Sequence, residues 1–292
     1  MTVTLKSKGA LVEIDTFGAE VQSYKDVLGI EYLWQGDSAY WHGRAPMLFP
    51  MVGGLRDGKA IIDGREVSMK RHGFARVSEF TVVMNTDSMA VFSLKPNEEI
   101  SRLYPYDFEF RITYRLSDAT LTKELYVVNH GEKAMPFTWG GHTAYNVPLL
   151  RDEKFEDYVV EFEYNEVANC PTIDEKSGLI DVGNRLPLLS NEKVIPLKHS
   201  LFYHDALVFD ELKSRKVKLY SRLSGKGVEV DFEGFPYFGI WSAANDAPFV
   251  CLEPWTGCGT CTDEGDIFEQ KRGMKLLSKD ESYASKFSVS IL

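Results

Sequence analysis

Three stretches of the chain alternate apolar and polar residues without a break. They are Phe108-Glu109-Phe110-Arg111-Ile112-Thr113-Tyr114-Arg115-Leu116, Val228-Glu229-Val230-Asp231-Phe232-Glu233 and Lys286-Phe287-Ser288-Val289-Ser290-Ile291. A period of two means one buried and one wet face, the pattern of antiparallel sheets. Turn dipeptides punctuate the runs. Asp63-Gly64, between Ala60-Ile61-Ile62 and Glu66-Val67-Ser68-Met69, predicts a hairpin, and Asp57-Gly58, Ser224-Gly225 and Glu233-Gly234 mark further breaks. Helical patterning is confined to Glu98-Glu99-Ile100-Ser101-Arg102-Leu103, a short turn that Pro105 stops. No βαβ rhythm argues for a parallel sheet, and no repeat or Pro/Ser-rich linker divides the chain. The pattern predicts an all-β fold, a large single-domain antiparallel β-sandwich over residues 1–292.

Composition narrows the function. Of 292 residues 44% are hydrophobic, enough for a large core, and the net charge is −10. That balance argues against a nucleic-acid partner or an anionic membrane surface, both of which attract a basic face. There is no long apolar run, and Met1-Thr2-Val3-Thr4-Leu5-Lys6 lacks the apolar core of a signal peptide, so a cytoplasmic location is expected. The four cysteines, Cys170, Cys251, Cys258 and Cys261, are too few for a disulfide scaffold of this size. Cys258-Gly259-Thr260-Cys261 lacks both a flanking βαβ unit and a second ligand pair, which favours two reduced thiols in a glycine-rich loop.

Residues suited to chemistry gather in four segments that interrupt the strand rhythm. Phe137-Thr138-Trp139-Gly140-Gly141-His142-Thr143-Ala144-Tyr145-Asn146 sets a histidine after two glycines, which allow a ligand to approach closely. Histidine can exchange a proton near neutral pH, and Trp139 and Tyr145 offer flat faces to a sugar ring. Glu253 ends the apolar run Phe249-Val250-Cys251-Leu252, where an unpaired carboxylate is costly. A buried glutamate with a raised pKa makes a base; an arginine partner would make it structural instead. His72, in His72-Gly73-Phe74-Ala75-Arg76, is a binding residue or a polar loop residue. Arg56 and Arg76 are suited to hydroxyls, to Glu253 or to a phosphate, or are simply surface arginines. His130 and His199 are read as structural.

Together these segments resemble the aldose 1-epimerase (galactose mutarotase-like) family, in a divergent bacterial branch. Gly141-His142-Thr143-Ala144-Tyr145-Asn146 matches the histidine, threonine and asparagine of the family's N-H-[TS]-Y-F-N-L motif. Leu252-Glu253 matches the start of L-E-T-Q, with Pro254-Trp255 replacing the rest. His72-Gly73 resembles L-H-G-G, and Arg56 after Gly53-Gly54 resembles G-R-x-x-N-R without its asparagine. Asp205 resembles the aspartate of D-H-N-F. The matches run in the family's order along nearly the whole chain.

The resemblance implies a mutarotase-like supersandwich and an isomerase that needs neither metal nor organic cofactor. Glu253 would take the proton of the anomeric hydroxyl while protonated His142 donates to the ring oxygen. Glu253 or Asp205 would raise the His142 pKa. Arg56, His72 and Asp205 would hold sugar hydroxyls, and Trp34, Trp139 or Trp255 would stack on the ring. In relatives acting on hexose 6-phosphates, arginines near such an H-G-x-x-R clamp the phosphate, a role open to Arg76. The expected partner is a monosaccharide or sugar phosphate, and the expected state a monomer or homodimer. A glycoside hydrolase, or a sugar-binding domain without the chemistry, are the other classes considered.

Overall fold

The structure, a computed structural model, describes residues 1–292. All the strand pairings are antiparallel, as the alternating runs predict. The larger sheet has nine strands in the spatial order Ile180–Pro196, Tyr158–Ile173, Lys216–Ser221, Gly227–Asp231, Ser282–Ile291, Thr120–Asn129, Phe108–Ser117, Met89–Leu94, Thr81–Asn85. The second sheet carries the functional segments. Its order is Leu207–Phe209, Tyr237–Trp241, Phe249–Trp255, Gly140–Gly141, Met47–Leu48, with Thr143–Asn146 also paired to Phe249–Trp255. Aromatic contacts join the sheets: Phe49 stacks on Phe110 at 4.4 Å, and Trp139 lies 5.8 Å from Phe110. Both belong to a core of 66 buried apolar residues.

Local chemistry explains the short elements. In the hairpin of Lys59–Ile62 and Arg65–Ser68, Asp63 and Gly64 have φ of 51° and 72°, the two left-handed positions of a type I′ turn. The helix Glu98–Leu103 is capped by Asn97, whose side chain accepts from the Ile100 N–H at 2.9 Å. The sequence pattern does not anticipate the longest elements. Tyr158–Ile173 and Ile180–Pro196 form a ribbon with several register shifts. Its tip reaches the loop that follows Phe249–Trp255, where Ile180 N–H donates to the Thr260 carbonyl at 3.0 Å.

The paired glycines serve the core rather than a ligand. A Cβ on Gly140 would lie 2.5 Å from Cδ1 of Trp255, and one on Gly141 would lie 2.5 Å from Cζ of Phe287. They let the strand press against two large rings. Beneath the same segment, Lys123 occupies an inward position of Thr120–Asn129 and is fully buried. Its ammonium donates to Thr143 Oγ1 at 3.0 Å and lies 5.4 Å from the Phe287 ring. Burial pushes its pKa down to about 7, with Glu20 opposing.

Two outcomes are expected. Gly141→Ala destabilises the fold by about 1–3 kcal/mol through overpacking against Phe287, read as a lower denaturant midpoint. Lys123 binds its proton more weakly folded than unfolded, so it opposes folding most at and below pH 7. Lys123→Met therefore stabilises the protein at pH 7 by a few kcal/mol at most, roughly. Denaturant titrations at increasing pH should show that gain fading towards pH 10.5, the ordinary lysine value.

Candidate active site

Strand pairing brings the two expected catalytic side chains together. Phe249–Trp255 is buried throughout and pairs with the histidine segment at Thr143↔Leu252 and Ala144↔Cys251. His142 and Glu253 are therefore next in register, on the face opposite Thr143 and Leu252. His142 Nε2 lies 3.5 Å from Glu253 Oε1, and the two residues are 7% and 1% exposed. They line a cavity of about 280 Å³, together with His72, Arg76, Asp205 and Trp255. Four expected binding residues thus reach the same space.

Arg56 is not among the residues that line it. Its guanidinium donates to the carbonyls of Cys261 at 3.3 Å and Glu264 at 2.7 Å and pairs with Asp266. The cavity instead holds Arg71, whose Nη1 is 3.8 Å from Asp205 Oδ2. Trp34 and Trp139 also lie outside the lining. Trp139 is fully buried and donates to Ser285 Oγ, while Trp34 Nε1 donates to the Trp41 carbonyl at 2.8 Å. The aromatic walls are Trp41, Trp241 and Trp255. Trp41 stacks on the His142 ring at 4.8 Å, and Trp241 meets it edge-on at 5.5 Å. Arg71, Trp41 and Trp241 were not singled out from the sequence. Arg71 could have been, since it directly precedes His72 in the loop that holds Arg76.

His72 is held in one tautomer. Its Nδ1 accepts from the Gly53 N–H at 3.1 Å, which leaves the proton on Nε2. Burial drives its pKa well below the ordinary value, helped by His142, Arg76 and Arg71, so the ring is neutral. The His142 pKa falls to about 3, first through burial and then through Arg76 and Arg71. This reverses the expectation that Glu253 or Asp205 raises it: desolvation and two nearby guanidinium groups set the shift, opposed only by a backbone hydrogen bond, and neither carboxylate contributes. Glu253 moves the other way. Burial lifts it well above the carboxylate range, with Asp205 adding to the rise and Arg71 and Arg76 opposing it. These shifts favour a carboxylic acid beside a neutral imidazole, a pair with one mobile proton.

Three buried polar atoms here have no hydrogen-bond partner: His142 Nδ1, Glu253 Oε2 and Trp255 Nε1. Each such atom costs about 1–3 kcal/mol, which a polyhydroxylated ligand can offset. Ligand atoms of His142, Cys251 and Glu253 also lie within 4.8 Å of one another, a donor set suited to a zinc-like cation. Cys258 and Cys261 are free thiols with sulfurs 3.9 Å apart, and Gly259 between them touches the cavity wall.

Known proteins resemble the chain along its whole length. A sequence model of the Aldose 1-epimerase family matches residues 1–271. Protein LacX (plasmid) of Lactococcus lactis subsp. lactis is 44% identical, over 100% of both chains. The crystal structure of a galactose mutarotase related enzyme from Lactobacillus acidophilus superposes with a TM-score of 0.95 at 32% identity, covering 100% of this chain and 97% of that one. A galactose mutarotase-like protein from Lactobacillus casei gives a TM-score of 0.93 at 28% identity, over 100% of both chains. The family match over residues 1–271 and the relative 44% identical along the whole chain make the chain a member of the aldose 1-epimerase family.

Proposed function

We propose that this protein is an aldose 1-epimerase that interconverts the α and β anomers of a hexose. The observation that carries the reading is the 3.5 Å approach of His142 and Glu253 in a buried cavity. Ring opening needs a base at the anomeric hydroxyl and an acid at the ring oxygen. Those two oxygens share one carbon, so the acid and the base must be neighbours.

The step balances on one proton. As the base removes the hydroxyl proton, the O–H electron pair becomes the carbonyl π bond. The bond from C1 to the ring oxygen breaks, and that oxygen takes its electrons and the proton of the acid. The pair still holds one proton, now on the group that acted as base. The open aldehyde turns about C1–C2, and closure on the other face reverses the transfers. By family resemblance Glu253 is the base and His142 the acid, which requires the mobile proton to sit on the imidazole. Hydrogen bonds from bound hydroxyls to the unpartnered Glu253 Oε2 favour the carboxylate, and so drive the proton that way. His72 Nε2–H, Arg71, Arg76 and Asp205 are suited to orient the remaining hydroxyls, while Trp255 offers an apolar face. No step of this chemistry calls for a metal or organic cofactor.

A hexose 6-phosphate is the second reading, favoured by the two guanidinium groups in one small cavity. A protein described as a putative glucose-6-phosphate 1-epimerase, from Cenchrus ciliaris, is 23% identical over 51% of this chain. NMR exchange between anomers, run on free and 6-phosphorylated aldoses, separates the two readings.

Glu253→Gln and His142→Asn should each lower kcat/KM by about 10²–10⁴-fold with the circular dichroism spectrum unchanged. Near-normal rates in either variant would refute the assigned pair. In the wild-type protein the acid limb of kcat/KM should lie near pH 3, where His142 gains a proton, rather than near its ordinary 6.5. Arg76 depresses that pKa, so Arg76→Met should move the limb to higher pH, and a limb that stays fixed contradicts the electrostatic account. The same variant should lose more rate on a sugar phosphate than on the free sugar if phosphate is part of the substrate.

A further inference from the structure

The cysteines beside the cavity have no part in the proton chemistry. Cys258 and Cys261 belong to the loop that follows Phe249–Trp255, and their sulfurs lie 3.9 Å apart. Cys170 and Cys251 sit singly in the strands Tyr158–Ile173 and Phe249–Trp255. The hydrogen bond within the pair lowers the pKa of Cys261 and raises that of Cys258. Arg272 adds to the fall at Cys261, against burial and Glu264. A thiolate that accepts from a neighbouring thiol, close to a guanidinium, is the reactive state of paired cysteines. Burial acts the other way on the single thiols, raising Cys170 to about 12 and Cys251 well above its ordinary value.

The loop also has a preferred direction of movement. A disulfide holds its sulfurs about 2.05 Å apart, so the pair would have to close by roughly 2 Å. Cys261 is pinned on both sides by Ile180, whose N–H donates to the Thr260 carbonyl at 3.0 Å and whose carbonyl accepts from the Thr262 N–H at 2.9 Å. The movement therefore falls on Cys258 and Gly259. Gly259 lines the catalytic cavity and packs on Gly53, where a Cβ would lie 2.4 Å from the Gly259 Cα. Gly53 in turn holds His72, donating its N–H to Nδ1 at 3.1 Å and accepting the His72 N–H at 2.8 Å. A shift at the sulfurs thus passes through two glycine backbones to the His72 ring.

We propose that Cys258 and Cys261 are an oxidation site, closed by a hydroperoxide into a disulfide within the loop, and that closure moves the Gly259 wall of the catalytic cavity. The Cys261 thiolate attacks one peroxide oxygen. An S–O bond forms, the O–O bond breaks, and the departing oxygen takes a proton from water. Cys258 then gives up its proton and attacks the Cys261 sulfur. The S–S bond forms, the S–O bond breaks, and the hydroxyl leaves with that proton as water. Two thiols have lost two electrons and the peroxide has gained them. Both cysteines are buried, but Thr262 and Asp263, which follow Cys261 directly, are exposed, so local opening of the loop end admits a molecule of this size. The site goes beyond the epimerase reading and forms whatever the cavity binds.

The test exposes the reduced protein to hydrogen peroxide, then denatures it, alkylates it with iodoacetamide and weighs it by mass spectrometry. Before peroxide all four cysteines should be alkylated. Afterwards only Cys170 and Cys251 should be, with the peptide that holds Cys258 and Cys261 lighter by two hydrogens, and dithiothreitol should restore the full count. Oxidation should lower kcat/KM for mutarotation by about three- to tenfold, reversibly, because the wall beside His72 has moved. Cys258→Ser and Cys261→Ser should keep the reduced wild-type rate within about twofold and hold it through peroxide treatment. Four alkylated thiols after peroxide, or sulfinic acid in place of the disulfide, would overturn the oxidation site. A disulfide that leaves kcat/KM unchanged, or an equal loss in the serine variants, would overturn its hold on the cavity. The thiol count does not depend on activity, so a protein that turns over no sugar refutes the epimerase reading without touching the disulfide.

Discussion

The site depends on the register of one strand pair. Thr143↔Leu252 and Ala144↔Cys251 fix the alignment, and only that alignment sets the imidazole of His142 against the carboxylate of Glu253. A slip of one residue would turn one of the two to the other face of the sheet. The register is secured by side chains that tolerate no alternative. Gly140 lies opposite Trp255, in a space where any Cβ would strike the indole ring. Gly239, on the other side of the same strand, leaves equally little room, since its Cβ would come within 2.5 Å of Trp255 Cζ2. Packing of a tryptophan between two glycine-bearing strands thereby sets the approach of His142 to Glu253.

Burial then decides the proton. In water an imidazole and a carboxylic acid this close would form an ion pair, because histidine is the stronger base. Here desolvation is the first cause of both shifts, and it acts in opposite directions on an acid and a base. The two arginines add to the fall of His142 while restraining the rise of Glu253. The neutral pair and the ion pair differ by the position of one proton, so a ligand that brings hydroxyls changes the balance without adding or removing charge. Whatever hydrogen-bonds to the unpartnered Glu253 Oε2 favours the carboxylate and, with it, the imidazolium.

Much of the scaffold was legible because alternation, turn dipeptides and a helical turn stopped by Pro105 are local signals. Phe108–Ser117, the Asp63-Gly64 turn and Glu98–Leu103 all follow from a few adjacent residues. The ribbon of Tyr158–Ile173 and Ile180–Pro196 was not legible. Its register shifts and largely exposed second strand break the period of two that would reveal it. In the site, His142 and Glu253 stand out by residue type and context, but their contact is a matter of pairing across more than a hundred residues. Sequence spacing also misdirected the choice of arginine. Arg56 and Arg71 flank the same hairpin, and which of them turns to the cavity depends on where distant carbonyls and Asp205 lie.

Those distant carbonyls point to how the cavity rim is held. Thr260 N–H donates to the Gly54 carbonyl at 3.1 Å, His72 N–H donates to the Gly53 carbonyl at 2.8 Å, and Ile180 N–H donates to the Thr260 carbonyl at 3.0 Å. Four segments far apart in the chain are thus tied by backbone bonds around one opening. Arg56 extends this chain of bonds, because its guanidinium gathers the carbonyls of Cys261, Thr262 and Glu264. Its bonds hold the loop that carries Gly259 against Gly53, where the two backbones approach too closely for a Cβ at residue 53. Arg56, which does not line the cavity, thus bears on it through the shape of the rim. The shape of the rim is therefore set jointly by the ribbon, the Arg56 loop and the loop after Phe249–Trp255, and by no one of them alone.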